Sequence, residues 1–219
     1  MHPLRTMLDA AAEGRFPPVD GDVEVFEPGD DGHCAIIEFT GHAVVLGDMG
    51  RRDLLAMGAD GFGGASRPEI KLALAGPGGW IGSQDAVLVA RGRDDGSPGT
   101  LVRAGSELEE HPRVIRSRKH RSDVEVFVNG GEGGGGLVTI GSGLVGRREL
   151  SVELLDGIAH GAARGRALIA AALDLVPRDE LVWAQVAPGN AASLRAFLAT
   201  GFVPIGAETL ISPSAAQRV

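Results

Sequence analysis

The chain has no tyrosine, one cysteine (Cys34) and only two lysines (Lys71 and Lys119) among its 21 basic residues. Each scarcity excludes something. A lone cysteine rules out an internal disulfide and fits a reducing compartment, so the expected location is cytoplasmic. Without tyrosine, no phenol can act as a general acid anywhere in the protein. No lysine lies near a glycine-opened helix, which removes a Walker-type phosphate loop ending in Gly-Lys-Ser/Thr. The sequence argues against a dinucleotide fold as well, because the GxGxxG spacing is wrong and too little chain follows the loop. No apolar run is long enough for a signal peptide or a bilayer span, so no membrane partner is expected. The six histidines are scattered, with none at metal-ligand spacing, so no metal site is expected. His33 and Cys34 are neighbours, but adjacent strand residues face opposite ways and make no nucleophile pair.

Basic charge is short too. A net charge of −8 and a pI near 5.2 argue against a nucleic-acid partner and suit an amine-bearing one. The basic run Arg113 to Arg121 then reads as a solvated helix face. What is present is ordinary for a globular protein: 219 residues, 43% hydrophobic and 23% charged, enough for one large domain or two small ones. A symmetric homodimer is the default assembly.

Along the chain, Leu4 to Glu13 reads as a helix, followed by an extended Phe16-Pro17-Pro18 segment. Three strand-like pieces, DVEVFE, CAIIEFT and HAVVLG, follow between Asp22 and Gly47, and short Gly/Asp turns make them an antiparallel meander. Helical patterns at Arg52 to Met57 and Pro68 to Ala75 flank a glycine-rich break. Asp85 to Ala90 reads as the first strand of a main domain, and a helical region spans about Gly105 to His120. Asp123 to Asn129 and Leu137 to Ile140 alternate as a hairpin around NGGEGGGG. Phe202 to Ile211 is extended, either two short strands or one bulged strand.

The stretch from Arg147 to Phe202 organises the rest. Leu150, Val152 and Leu154 alternate with Glu149, Ser151 and Glu153, which predicts a strand with the polar set facing solvent or a cleft. A helix follows from about Ala162 to Val176, with Gly165, Leu168, Ile169, Ala172, Leu173 and Val176 on one stripe. Leu181 to Val186 is a second strand, brought parallel to the first by a right-handed crossover. Pro188-Gly189-Asn190 supplies a turn and helix cap, and Leu194, Phe197 and Leu198 make the inner stripe of the last helix. At the first strand-to-helix junction, Arg164, Gly165, Arg166 and Ala167 offer bare amides, small side chains and two guanidiniums, a combination that suits a phosphate-bearing ligand.

These residues resemble a known family. Ala162-Ala163-Arg164-Gly165-Arg166-Ala167 resembles the Gln/Arg-x-x-Gly-x-Gly/Ala signature of GNAT-type N-acetyltransferases, and Asn190 through Gly201-Phe202 looks like that family's second recurring stretch. The likeness covers Arg147 to about Ile211 clearly, and back to about Gln84 loosely. It implies an α/β (α+β) fold: a mixed, mostly antiparallel sheet flanked by helices, the GNAT-like acyl-CoA N-acyltransferase fold. The implied domain is 84–219, preceded by an N-terminal β-rich extension at 1–83 that is a separate element or a degenerate half-copy. The resemblance further implies acetyl-CoA as cofactor and a small-molecule or peptide amine as acceptor. Leu155 to Gly157 would meet the pantetheine arm, and Arg164 to Ala167 the pyrophosphate. Asn190, Ser193 and Phe197 fall on the second stretch, with Asn190 open to both capping and cofactor contact. The family commonly carries its base on the strand holding Glu149, Ser151 and Glu153. Two departures stand out: Ala162 replaces the signature's Gln/Arg, and Phe197 occupies the position of the family's general-acid tyrosine. A non-catalytic acyl-CoA-binding module is the alternative that these departures keep open.

Overall fold

The computed structural model describes residues 1–29, 32–96, 99–129, 135–155 and 162–214, which hold six α-helices and ten strands in mixed, mostly antiparallel pairing. The chain divides into two compact units, Met1–Val87 with Ile205–Val219, and Leu88–Pro204. The first therefore reaches slightly past the expected 1–83 extension and takes back the end of the chain.

In the first unit, β2 (Cys34–Phe39) and β3 (His42–Leu46) form an antiparallel hairpin. Its turn needs Gly41, whose φ of +68° disfavours a residue with a Cβ. The expected meander is not completed, because β1 (Val23–Phe26) lies parallel to β3, with Val23 opposite Ala43. The reason is occupancy: the other edge of β2 is taken by β10 (Val203–Ser212), with Ile211 opposite Cys34, so β1 pairs on the free edge of β3. β10 is one continuous strand. Helices α2 (Arg51–Ala56) and α3 (Pro68–Ala75) bury Leu54, Ile70 and Leu74 against Val23, Ile36 and Val45, with Cys34 inside the same core. His42 is buried between two carboxylates, its Nδ1 3.0 Å from Asp20 Oδ1 and its Nε2 3.1 Å from Glu24 Oε1. Burial of this apolar set is the main driving force for the unit.

The second unit contains the candidate site. β4 (Trp80–Arg91) gives it only its last residues, from Leu88, beside β9 (Leu181–Val186). The order continues through β8 (Arg148–Leu154), β7 (Gly136–Ser142) and β6 (Ser122–Asn129) to β5 (Leu101–Arg103) at the edge. β6, β7 and β8 are antiparallel, whereas β8 and β9 are parallel, as a strand–helix–strand crossover requires. The crossover helix α5 (Ala162–Leu173) buries Leu168, Ile169, Ala172 and Leu173, and Val176 is buried just beyond it. It packs close to β7 because Gly136 has no side chain; a Cβ there would lie 2.5 Å from Leu168 Cδ1. On the opposite face α4 (Pro112–His120) buries Val114 against Val126 and Leu137. Helix α6 (Ala191–Ala199) is capped by Asn190, whose Oδ1 accepts from Ser193 N at 3.2 Å. Its inner face departs from the expected stripe: Ala196 and Phe197 are buried, while Leu198 is 42% exposed.

Candidate active site

β8 is covered by α5 on one face and approached by α4 on the other, so its two faces do not divide into core and solvent. The expectation that Glu149, Ser151 and Glu153 all look outward fails at Glu149, which is 5% exposed. Its carboxylate accepts from Arg147 Nε (2.7 Å) and Leu144 N (3.3 Å) on one oxygen and from Arg121 Nε (2.8 Å) on the other. Gly143 makes room for it, since a Cβ there would sit 2.1 Å from the carboxyl carbon. Burial alone would raise the pKa of this acid; the charges and hydrogen bonds of Arg147 and Arg121 outweigh it and hold the group at about 2. Ser151 and Glu153 are half-buried. Ser151 Oγ lies 2.7 Å from Thr139 Oγ1, which lies 2.8 Å from Ser117 Oγ on α4. Glu153 accepts from Arg113 Nε, also on α4, at 2.7 Å.

β8 and β9 share one rung, Glu149 opposite Trp183. Beyond it they part. The amide of Leu155 donates to Gly135 O at 2.6 Å, on the β7 side, so the backbone groups of Val152 and Leu154 turn toward β9. Among the described residues no further pair joins the two strands, and these amides and carbonyls face β9 without a paired residue opposite.

Past the end of β8, Gly157 lies outside the described residues, so the expected contact there is not located. The first described turn of α5 is open: Arg164, Arg166 and Ala167 are exposed and Gly165 is half-buried, 3.8 Å from Ala196 Cβ once a Cβ is placed on it. An open groove of ≈ 520 Å³ runs along α5 and the end of α6, lined by Arg93, Arg166, Ala167, Ala170 and Gly201 among others. Arg93 is anchored there by donating to Thr200 O at 2.7 Å. A larger cavity of ≈ 610 Å³, bordered by Asp123, Glu125 and Arg148, sits at the start of β8. Phe197 is buried edge-on against Phe202, ring centroids 4.9 Å apart, and carries packing. Asn190 spends its side-chain oxygen on the helix cap, and Ser193 is half-buried one turn into α6.

Sequence reasoning missed Arg93, Arg121, Arg147 and Gln185. Arg147 and Arg121 lay inside stretches read as a strand start and a solvated helix face. The signal for them was Glu149 itself, a carboxylate on a strand covered on both faces, which demands a cationic partner. Among the described residues there is no cluster of His, Cys, Asp and Glu fit for a metal and no helix long and apolar enough to cross a membrane.

No family model matches the sequence, and no curated protein matches it. Among solved structures, the chain is similar to a GCN5-related N-acetyltransferase from Kribbella flavida, at 16% identity and a TM-score of 0.40, over 68% of this chain and 66% of that one. A conserved protein of unknown function from Staphylococcus epidermidis matches at 14% identity and a TM-score of 0.41, over 66% of each chain. A protein assigned to the GNAT acetyltransferase family from Novosphingobium aromaticivorans matches at 18% identity and a TM-score of 0.35, over 64% of this chain and 69% of that one. The chain thus spans just under two thirds of the first two structures.

Proposed function

We propose that this chain is an acetyl-CoA-dependent N-acetyltransferase that moves the acetyl group to a primary amine by direct attack in a ternary complex. One observation carries the reading: two parallel strands joined at a single rung open a gap, edged by the backbone of Val152 and Leu154, whose strand leads into an exposed helix turn bearing Arg164 and Arg166. The residues fit the cofactor. Extended backbone with unpaired polar groups suits an amide-bearing arm, and guanidiniums at a helix start suit phosphates. Arg93 and Arg166 along the neighbouring groove extend the same positive character. When bound, acetyl-CoA supplies an activated thioester acyl group.

The chain's own residues supply the rest. An alkylammonium, with a pKa of about 10.4, must lose a proton before it can act as a nucleophile. Glu153 is the base we assign, being half-buried on β8 beside the gap, with Arg113 orienting it. Glu149 is a poor base, held at about 2 by two arginines, and its role is structural. Ser151, tied to Thr139, lines the same face and orients the acceptor. The amides of Val152 and Leu154 are the donors available to a developing oxyanion. With Phe197 buried and no tyrosine in the chain, water provides the proton taken up by the departing thiolate, whose conjugate thiol has a pKa of about 8.5, which makes it a tolerable leaving group.

A second reading has its own support. Both carboxylates of β8 are already engaged by arginines, which favours a module that binds acyl-CoA without turning it over. Calorimetry with CoA and acetyl transfer to an amine panel, followed by thiol release, separate the two. Transfer that is lost in Glu153→Gln, with CoA affinity kept, supports the enzyme. Binding with no turnover on any amine supports the module. Absence of CoA binding, or binding unaffected by Arg164→Ala with Arg166→Ala, overturns both.

A further inference from the structure

Past their shared rung β8 and β9 do not pair, and a residue that bonds to side chains of both lies on neither strand. Past the Glu149–Trp183 rung, the polar side chains on the α4 face of β8 bond away from β9. Ser151 is linked to Thr139 on β7 and through it to Ser117 on α4, while Glu153 is linked to Arg113 on α4. On β9, Gln185 is drawn elsewhere: its Oε1 accepts from Arg121 Nη2 at 3.4 Å. The same guanidinium donates through Nε to Glu149 Oε2 at 2.8 Å. Arg121 directly follows α4, and its side chain is 11% exposed. It hydrogen-bonds to side chains of both strands, one at the last rung and one beyond it.

We infer that Arg121 is a positioning residue that fixes where β8 and β9 separate, with α4 as the brace from which it reaches. The inference rests on the proposed acyl-CoA reading for its functional consequence but not for its structural one. A planar guanidinium is suited to the task, because two of its nitrogens can engage oxygens on different strands at a fixed separation. A lysine ammonium reaches one or the other. The opposing forces are plain. Unpaired edges of neighbouring parallel strands favour further hydrogen bonding, and the arginine's two partners set the point at which that pairing stops. Arg147 closes the rung from the other side, its guanidinium 5.7 Å from the Trp183 ring, so the anchor point itself is stiff.

Amide hydrogen exchange of the free chain, together with CoA calorimetry, tests the idea in Arg121→Gln, Arg121→Lys and Gln185→Met. Gln185→Met leaves the Arg121–Glu149 pair in place, so it keeps the test meaningful if Arg121→Gln folds poorly. A hydrogen bond to a charged group is worth about tenfold in an equilibrium. Exchange across 149–155 and 181–186 is therefore expected to change about tenfold in Arg121→Gln and Gln185→Met, with 122–129 and 164–173 unaffected, and CoA affinity to fall by a similar factor. Arg121→Lys is expected to restore part of both. Exchange that is unchanged at the two strands, or altered evenly across the unit, overturns the inference, whatever CoA does. Wild-type chain that fails to bind CoA removes the functional reading, and the exchange result still decides the role of Arg121.

Discussion

Glu149 makes a quantitative prediction because its environment is so lopsided. The carboxylate is buried, touches two guanidiniums and a backbone amide, and has its pKa lowered from the ordinary 4.5 to about 2. A shift of that size corresponds to about 3 kcal/mol of stability. The sign follows from proton binding. Above 4.5 the group is ionised in both folded and unfolded chains and the full contribution is present; as pH falls toward 2, the unfolded chain takes up a proton that the folded one refuses. About 2 kcal/mol should be gone by pH 3. The perturbation is Glu149→Gln, which keeps the shape and removes the charge. At pH 7 the variant should unfold with about 3 kcal/mol less free energy in urea, consistent with losing one partner of a buried ion pair. The gap between wild type and variant should then narrow steadily below pH 4.5. A gap that stays constant from pH 7 to pH 3 would show that the arginines do not hold this proton off, and the argument against Glu149 as a base would go with it.

Two further predictions concern packing in the second unit and a titration in the first. A Cβ at Gly92 would lie 2.3 Å from Pro177 O and 2.4 Å from Val176 O, both backbone, whereas one at Gly136 would meet only the tip of Leu168. Gly92→Ala should therefore cost about 2–3 kcal/mol and Gly136→Ala about 1 kcal/mol, read as drops in thermal midpoint of about 5–10 °C and 2–4 °C; the reverse order would refute the packing account. In the first unit, the hydrogen bond from His42 holds the Asp20 carboxyl below its ordinary 3.8, helped by the Asp22 amide. The stability linked to that shift is present above 3.8 and lost as pH falls through the lowered value, so His42→Ala should move the Asp20 titration upward in carboxyl NMR and lessen the acid sensitivity of this segment.

The sequence made the local periodicities plain, and the residues that follow local rules behave accordingly. Leu168, Ile169, Ala172 and Leu173 form a buried stripe because a 3.6-residue period admits little else, and Asn190 caps α6 as its place after Pro188-Gly189 implies. What depends on distant partners was hidden. The parallel placement of β1 follows from β10 occupying β2, a fact set at the far end of the chain. The inward turn of Glu149 follows from α4 covering the second face of β8, and alternation along a strand says nothing about how many faces are covered. Within the candidate site, the helix that carries Arg164 to Ala167 was legible from its apolar spacing. Arg121 and Gln185 were not, because their meaning lies in being joined to each other.

The return of β10 to the first unit has a consequence for how the protein is made. Residues 88–204 form an uninterrupted span, and they can reach their native pairing while synthesis continues. The hairpin of β2 and β3 precedes that span, yet one edge of β2 stays bare until β10, which follows the span, arrives to pair with it. In the interval that apolar edge is a template for any other extended chain nearby, which makes the newborn polypeptide aggregation-prone until β10 emerges.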